Sequence, residues 1–388
     1  MTMDPIIPLI VSIAFAVLVM GSVLHRARQP LIIGYIGVGI VLGPHGAGII
    51  EDVHAVERLG EFGLILLLFF LGTEMSLPRL LSRWRIPFLG TLLQICTSVA
   101  LVYLLGNVLG WPVPRSVLLG FVISLSSTAV IVPVLKDSKE FDTEVGQDIL
   151  GINLVQDLAV VPMLIVVGLF QGQTGGGPSP LLQVVGVGLV ITVVVILASN
   201  PDLHIPLGDF LLENDEAQLF FAFALCFGVA LITNLLGLSA AMGAFLGGII
   251  VGSSRDMKWA KDHLRPFQIL FVALFFLGVG AVLDLRFLFD HIGIVLVLVG
   301  VAMATNTVIN AVILRILGLE WRQGWYGGAV LAGIGEFSFV LAVLGLRTGV
   351  ISDFAYQLTI ATIALTMVAS PFWIRLFRKP GRPIPSPS

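Results

Sequence analysis

The residues able to do chemistry in this chain are few, and they fall where polar groups are costly. Asp157 lies in NLVQDLAVVP (153–162), inside a run from Asp148 to Phe170 that is otherwise apolar and long enough to cross a bilayer. An ionised carboxylate at that depth costs roughly 3 kcal/mol or more, so it is rarely kept without a task. Gln156 precedes it, and Asn153 sits one helical turn back on the same face. Two other apolar stretches carry polar groups. SLSSTAV (124–130) holds Ser124, Ser126, Ser127 and Thr128, and AGIGEFSF (332–339) holds Gly333, Gly335 and an acid, Glu336. A single carboxylate with hydroxyl and amide neighbours can take a proton or a monovalent cation, each occupant excluding the other.

The elements that must position these groups are helices in a membrane. Of 388 residues 57% are hydrophobic and only 12% charged, with a mean hydropathy of +1.03; a soluble domain carries about 25% charged residues. The fold class is therefore an all-α polytopic membrane protein. A net charge of −3 and no basic arm leave nucleic acid without support as a partner. Cys96 and Cys226 fall in apolar runs and read as small core residues. Basic residues follow the N-terminal apolar run at His25, Arg26 and Arg28 rather than preceding it, so that run reads as a first transmembrane helix and not a signal peptide.

A helix-sized window finds about thirteen apolar segments: 6–24, 31–43, 59–75, 87–109, 115–135, 148–171, 181–199, 218–236, 239–253, 266–283, 291–317, 324–346 and 354–377. Residues 1–380 form a single transmembrane region, and 381–388 are expected to be a disordered tail. The connections include a flexible polar linker (172–180) and an acidic stretch (200–218). With thirteen spans, 17 of the 21 Lys and Arg residues fall on one side and 4 on the other. The positive-inside rule then places the C-terminus in the cytoplasm and the N-terminus outside.

The chain also repeats itself. FFLG at 69–72 returns at 275–278, and GYIGVGIVLG (34–43) resembles GAFLGGIIVG (243–252), at offsets of 206 and 209. The third span matches the tenth and the second the ninth. A shift of seven spans, being odd, inserts the second copy upside down. Inverted repeats of this kind put the site at the midplane, where discontinuous helices cross. Carrying Ser127 forward by about 207 residues lands on Ile334, between Gly333 and Gly335. The fifth and twelfth spans are thus expected to break and meet there, since non-helical backbone survives at that depth only when buried in protein or lining a cavity.

In order along the chain, LGPHG (42–46), EFGLILLLFFLGTEM (61–75), SLSSTAV, VQDLAVVP (155–162), SAAMGAFLGGIIVGS (239–253), FFLGVG (275–280) and GEFSF (335–339) resemble the membrane region of bacterial Kef-type potassium/proton antiporters. These belong to the second superfamily of monovalent cation–proton antiporters. The resemblance implies a sodium/proton-antiporter-like fold. Spans 1–3 and 8–10 would form a dimerisation scaffold, and spans 4–6 and 11–13 an ion-binding core that moves like an elevator. It implies K⁺ and H⁺ as substrates, with Na⁺ possible, a homodimer in the lipid bilayer of a bacterial inner membrane, and no cofactor. Sodium-type relatives tend to carry two adjacent acids where this chain has Gln156-Asp157. One carboxylate presents a weaker field than two and favours the larger, more easily dehydrated ion. The chain departs from the family in three places. The lysine usual in the eleventh span aligns near Thr305 and Asn306 of ATNTVIN (304–310), where Asn306 could hydrogen-bond in its stead; the sequence ends soon after the last span; and the family's acidic regulatory loop is replaced by the mostly basic RDMKWAKDHLRPF (255–267).

On this reading Asp157 is the shared cation and proton site, the one residue to contact the monovalent cation through its charge. Ser126, Ser127 and Thr128 supply oxygen ligands, while Asn153, Gln156, Asn306, Gly333, Gly335 and Glu336 shape the site. Plainer roles stand beside these. Asp157 could pair structurally with a neighbouring helix, and the hydroxyls could bond the preceding turn's carbonyls. Glu336 could orient the crossing or cap a broken helix rather than touch the ion, and Glu74 reads as an interfacial structural residue. A channel or sensor reusing the fold is the rival class; an enzyme is disfavoured because no hydrolase or metal motif occurs.

Overall fold

The computed structural model describes residues 6–27, 29–50, 62–63, 65–70, 72–73, 85–170, 186, 188, 192, 214–236, 240–253 and 259–377. Glu74, the 172–180 linker, most of the expected seventh span, the acidic stretch up to residue 213 and the tail lie outside the described residues. Fourteen helices are defined among the described residues: α1 (Ile6–Ala27), α2 (Leu31–Leu42), α3 (Arg85–Val108), α4 (Val113–Ser124), α5 (Thr128–Asp137), α6 (Glu144–Phe170), α7 (Asp215–Leu235), α8 (Ala240–Ser253), α9 (Trp259–Val282), α10 (Leu285–Asp290), α11 (Ile292–Ile316), α12 (Trp321–Val330), α13 (Phe337–Arg347) and α14 (Asp353–Phe377). Six stretches among the described residues are long and apolar enough to cross a membrane: α3, α6, α7, Leu264–Val282 of α9, α11 and α14. The α4–α5 and α12–α13 pairs are shorter because each is one expected span interrupted midway. Among the described residues the one extended pairing is an isolated antiparallel bridge between Ser126 and Ile334.

The chain forms two units. The first comprises Met1–Glu51, Arg83–Met163 and Val279–Ser388. In it α11 packs on α3, α12 and α14, α3 on α4, and α4 on α13. A core of Val130, Ile131, Leu135, Ile149, Ile152, Leu314 and Val330 lies between α5, α6, α11 and α12. In a bilayer such a core is held by close packing rather than by escape from water. Gly318, at φ 110°, makes the tight turn from α11 into α12. Short α10 lies within an expected loop. It forms because Asp284 caps it, accepting the Arg286 N–H at 2.8 Å.

The second unit comprises Asp52–Ser82 and Leu164–Gly278. Phe69 and Phe70 pack against Cys226 of α7 and Ala244 of α8. Gly248 of α8 lies directly on the backbone at Phe69, and a Cβ on Gly72 would come within 2.9 Å of the Gly248 Cα. The first unit contains the repeat-related contact: Gly43 of α2 meets Ala281, and Gly280 meets Ile36, each Cβ falling 2.9 Å from the opposing Cα. Third span on ninth thus recurs as tenth span on second, which is the pairing the inverted repeat requires.

These seams generate a prediction. Gly248→Leu should destabilise the protein by about 1–3 kcal/mol through overpacking, lowering its thermal midpoint in detergent. Gly300→Leu on α11, where an added Cβ meets no atom within 4 Å, should leave the midpoint unchanged. Equal effects of the two substitutions would refute the seam.

Candidate functional site

The site is built where α4 and α12 stop. Leu125 and Ser127 are extended between α4 and α5, with ψ of 132° and 107°. There the Ser127 N–H donates to Gly333 O at 3.1 Å and the Gly335 N–H to Leu125 O at 2.9 Å. Residues 127 and 335 are 208 apart, as are 125 and 333, so the two bonds are the same bond made by both repeat copies. Ile334 pairs with Ser126, one residue from the partner expected by the rougher sequence offset. The backbones come so close that a Cβ on Gly335 would lie 2.5 Å from Ser126 O, and one on Gly333 would collide with the Ser370 hydroxyl.

Breaking two helices orphans backbone groups, and in a membrane each must find a partner. Asn306 of α11 donates through Nδ2 to Ile123 O at 2.8 Å and to Ala332 O at 3.3 Å, serving the carbonyl ends of both broken helices. Ser126 Oγ donates to Leu331 O (2.8 Å), and Ser338 Oγ to Val122 O (2.7 Å). The Ser126 N–H donates to Gln156 Oε1 at 3.1 Å, and its repeat counterpart, the Ile334 N–H, to Thr366 Oγ1 at 3.2 Å. Ser126 O accepts from Asn153 Nδ2 at 3.0 Å.

At the opposite polarity stand the N-termini of α5 and α13, which carry partial positive charge. The Glu336 carboxylate accepts a hydrogen bond there from the hydroxyl of Ser127, the N-cap residue of α5, at 3.3 Å, and Glu336 is itself the N-cap residue of α13. An acid thus serves the two positive helix ends and a neutral amide the two negative ones.

Asp157 is buried on α6 beside Thr128. Thr128 Oγ1 lies 2.8 Å from Asp157 Oδ2 and 2.8 Å from Asn153 Oδ1. The hydroxyl has one proton and faces two acceptor oxygens. Asn153 cannot present its amide nitrogen instead, because Nδ2 is committed to Ser126 O. Two prolines add carbonyl oxygens nearby: Pro162 in α6 and Pro133 in α5 lack the N–H that would bind the carbonyls of Leu158 and Ala129.

The residues expected to bind the ion or shape the site are therefore at the crossing or bonded to it. Of the three hydroxyls expected to ligate an ion, Thr128 is next to Asp157, while those of Ser126 and Ser127 bond Leu331 O and Glu336. Sequence reasoning missed Thr366 and Gln94. Gln94 of α3 is buried and accepts a hydrogen bond from Gln156 Nε2. Its signal was a polar residue in an apolar run with Thr91 and Ser98 at helical spacing.

Comparison with known proteins bears on the fold and the family. Residues 11–378 match the family described as "Sodium/hydrogen exchanger, transmembrane". The chain is 36% identical over 95% of its length to a protein named iron transporter MagA of Paramagnetospirillum magneticum, covering 85% of that protein. It is 31% identical over 90% of its length to the glutathione-regulated potassium-efflux system protein KefC of Klebsiella pneumoniae, spanning 56% of it. It is 30% identical over 88% of its length to the chloroplastic K(+) efflux antiporter 1 of Arabidopsis thaliana, spanning 29% of it. In structure it is similar to the sodium proton antiporter MjNhaP1 of Methanocaldococcus jannaschii, with a TM-score of 0.63 at 18% identity over 96% of this chain and 99% of that one. The Kef-type kinship expected from the motifs holds, and this integral membrane protein belongs to the sodium/hydrogen exchanger transmembrane family.

Proposed function

We propose that the protein exchanges a monovalent cation, K⁺ in preference to Na⁺, for H⁺, with Asp157 as the site both ions share. The observation that carries this reading is the single Thr128 proton between Asp157 Oδ2 and Asn153 Oδ1. When Asp157 is ionised, Thr128 donates to the charged oxygen, the stronger of its two bonds. Asn153 Oδ1 is then available as a second oxygen ligand for the dehydrated cation. When Asp157 is protonated, its O–H donates to Thr128, whose own proton turns to Asn153. The hydroxyl withdraws the amide oxygen from the cation as the proton arrives. Competition for the acid and loss of a ligand therefore act together. Each occupant cancels one charge, so one-for-one exchange is electroneutral.

Potassium is favoured by the neutral Gln156 beside Asp157 and by the names of the Kef-type relatives. Sodium is the alternative, carried by the antiporter that shares the fold. Iron is named for the Paramagnetospirillum relative. The donors gathered here are carboxylate, hydroxyl and amide oxygens, a hard set without imidazole or thiolate. Among the described residues, no group of three or more His, Cys, Asp or Glu could hold a metal. The crossing, with α3–α6 and α11–α14, is proposed as the core that moves by elevator-type alternating access against a dimerisation scaffold, in a homodimer with a cytoplasmic C-terminus.

Proteoliposomes carrying a pH dye test the reading. A K⁺ or Rb⁺ pulse should drive proton movement more effectively than Na⁺ or Li⁺, and Asp157→Asn should abolish it in a protein that still elutes as a single species. Dye responses retained by that variant would remove Asp157 from the mechanism. A current that follows voltage without proton exchange would indicate the channel-like alternative.

The hydroxyl makes a second, separate prediction. Thr128→Val, of equal shape but without the proton, should reduce exchange by about ten- to a hundredfold, as expected for losing a hydrogen bond to a charged group. Thr128→Ser should keep most of it. If valine performed as well as serine, the rotating proton would have no role.

A further inference from the structure

Three polar side chains of α3 are buried: Thr91, Gln94 and Ser98. Their spacing puts them on one helix face. Thr91 Oγ1 donates to Ile152 O at 3.1 Å, so that face lies against the stretch of α6 that carries Asn153 and Asp157. One of the three, Gln94, is tied to the crossing through a single intermediary.

That intermediary is Gln156, whose amide has a direction. Its Oε1 accepts the Ser126 N–H at 3.1 Å, and its Nε2 donates to Gln94 Oε1. Reversing the Gln156 amide would set two donors against each other at Ser126 and two acceptors against each other at Gln94. Both errors would be buried, where an unsatisfied group costs most. Gln94 engages Gln156 with its oxygen end alone, since Gln94 Nε2 makes no hydrogen bond. From Ser126 the order continues: its carbonyl fixes Asn153 Nδ2, which turns Asn153 Oδ1 towards Thr128.

We infer that Gln94 is a positioning residue for exchange: as the acceptor that orients the Gln156 amide, it holds the Ser126 peptide and so the geometry in which Thr128 and Asn153 meet Asp157. It acts through Gln156 and not on the ion. This role rests on the antiport reading above and extends it to a helix that supplies no ligand.

The test compares reconstituted wild type with Gln94→Met, Gln94→Asn, Gln94→Glu, Gln156→Met and the Gln94→Met/Gln156→Met pair, measuring maximal exchange rate and half-saturating cation concentration. Methionine fills the volume without an acceptor, and asparagine keeps an amide that stops one methylene short. Each should raise the half-saturating concentration about tenfold, as one buried hydrogen bond would, while the maximal rate stays within about threefold. Glutamate offers an acceptor oxygen in either protonation state and should restore half-saturation to near the wild-type value. The double variant should be no worse than Gln156→Met alone, because both act through one bond. Unchanged half-saturation in Gln94→Met and Gln94→Asn, or effects of Gln94→Met and Gln156→Met that multiply, would overturn the role. Wild type that exchanges normally beside unaffected Gln94 variants refutes the positioning alone. Wild type that exchanges no cation refutes the antiport reading itself.

Discussion

A peptide group in hydrocarbon has no water to turn to, and the architecture around residues 125–127 and 331–336 follows from that constraint. Two helices are interrupted in the middle of a membrane protein, which would leave a row of unmet carbonyls and amides. The two interruptions meet each other. Ser127 and Gly335 each donate to the opposite copy's carbonyl, Gly333 and Leu125, and this pair of bonds replaces part of what each helix gave up. Everything else at the site completes the pairing. Glycine at 335 admits the Ser126 carbonyl, the Ser126 and Ser338 hydroxyls reach back to helix ends, and Asn306 joins both carbonyl termini.

The side chains recruited for this work are mostly neutral, and neutrality has consequences for charge. The negative helix ends are met by Asn306, where Kef-type relatives usually carry lysine, so no ammonium on α11 stands near the crossing to compete with a bound ion. The positive ends are met by Glu336. The acid on α6 accepts a hydrogen bond from Thr128, a dipole rather than an opposite charge. Dipoles with a fixed direction can support a carboxylate in one protonation state and a carboxylic acid in the other, provided one of them can rotate. Thr128 is proposed as that rotor, because its hydroxyl can turn and has two acceptors, Asp157 Oδ2 and Asn153 Oδ1, each at 2.8 Å.

Much of this was legible in the residues, for physical reasons that differ from place to place. Asp157 stood out because an acid in a long apolar run is expensive. The crossing could be located because FFLG and the glycine-rich spans recur at nearly constant offset, so that one break predicted the other. Its register was not legible to the residue: repeats matched at 206 and 209 bracket the true offset of 208 without choosing it. Short α10 was hidden because its cause is one capping aspartate rather than a periodic pattern. Gln94 was overlooked because its partner lies 62 residues away and an amide's direction leaves no trace in sequence. That the Ser126 and Ser127 hydroxyls turn to Leu331 O and Glu336 is likewise decided by the crossing, not by their spacing.

The glycine seams carry a meaning beyond tight packing. Where Gly248 rests on the main chain at Phe69, and where Gly43 and Gly280 rest on Ala281 and Ile36, no side chain cushions the contact. A layer of side chains can shear by hopping between rotamers, whereas main chain in direct contact must separate before it slides. Each seam is therefore a line of no slip, and a protein that changes shape is obliged to do so along surfaces padded with leucine, valine and phenylalanine. Glycine, the residue associated with flexibility, here marks the places around which any motion must be organised.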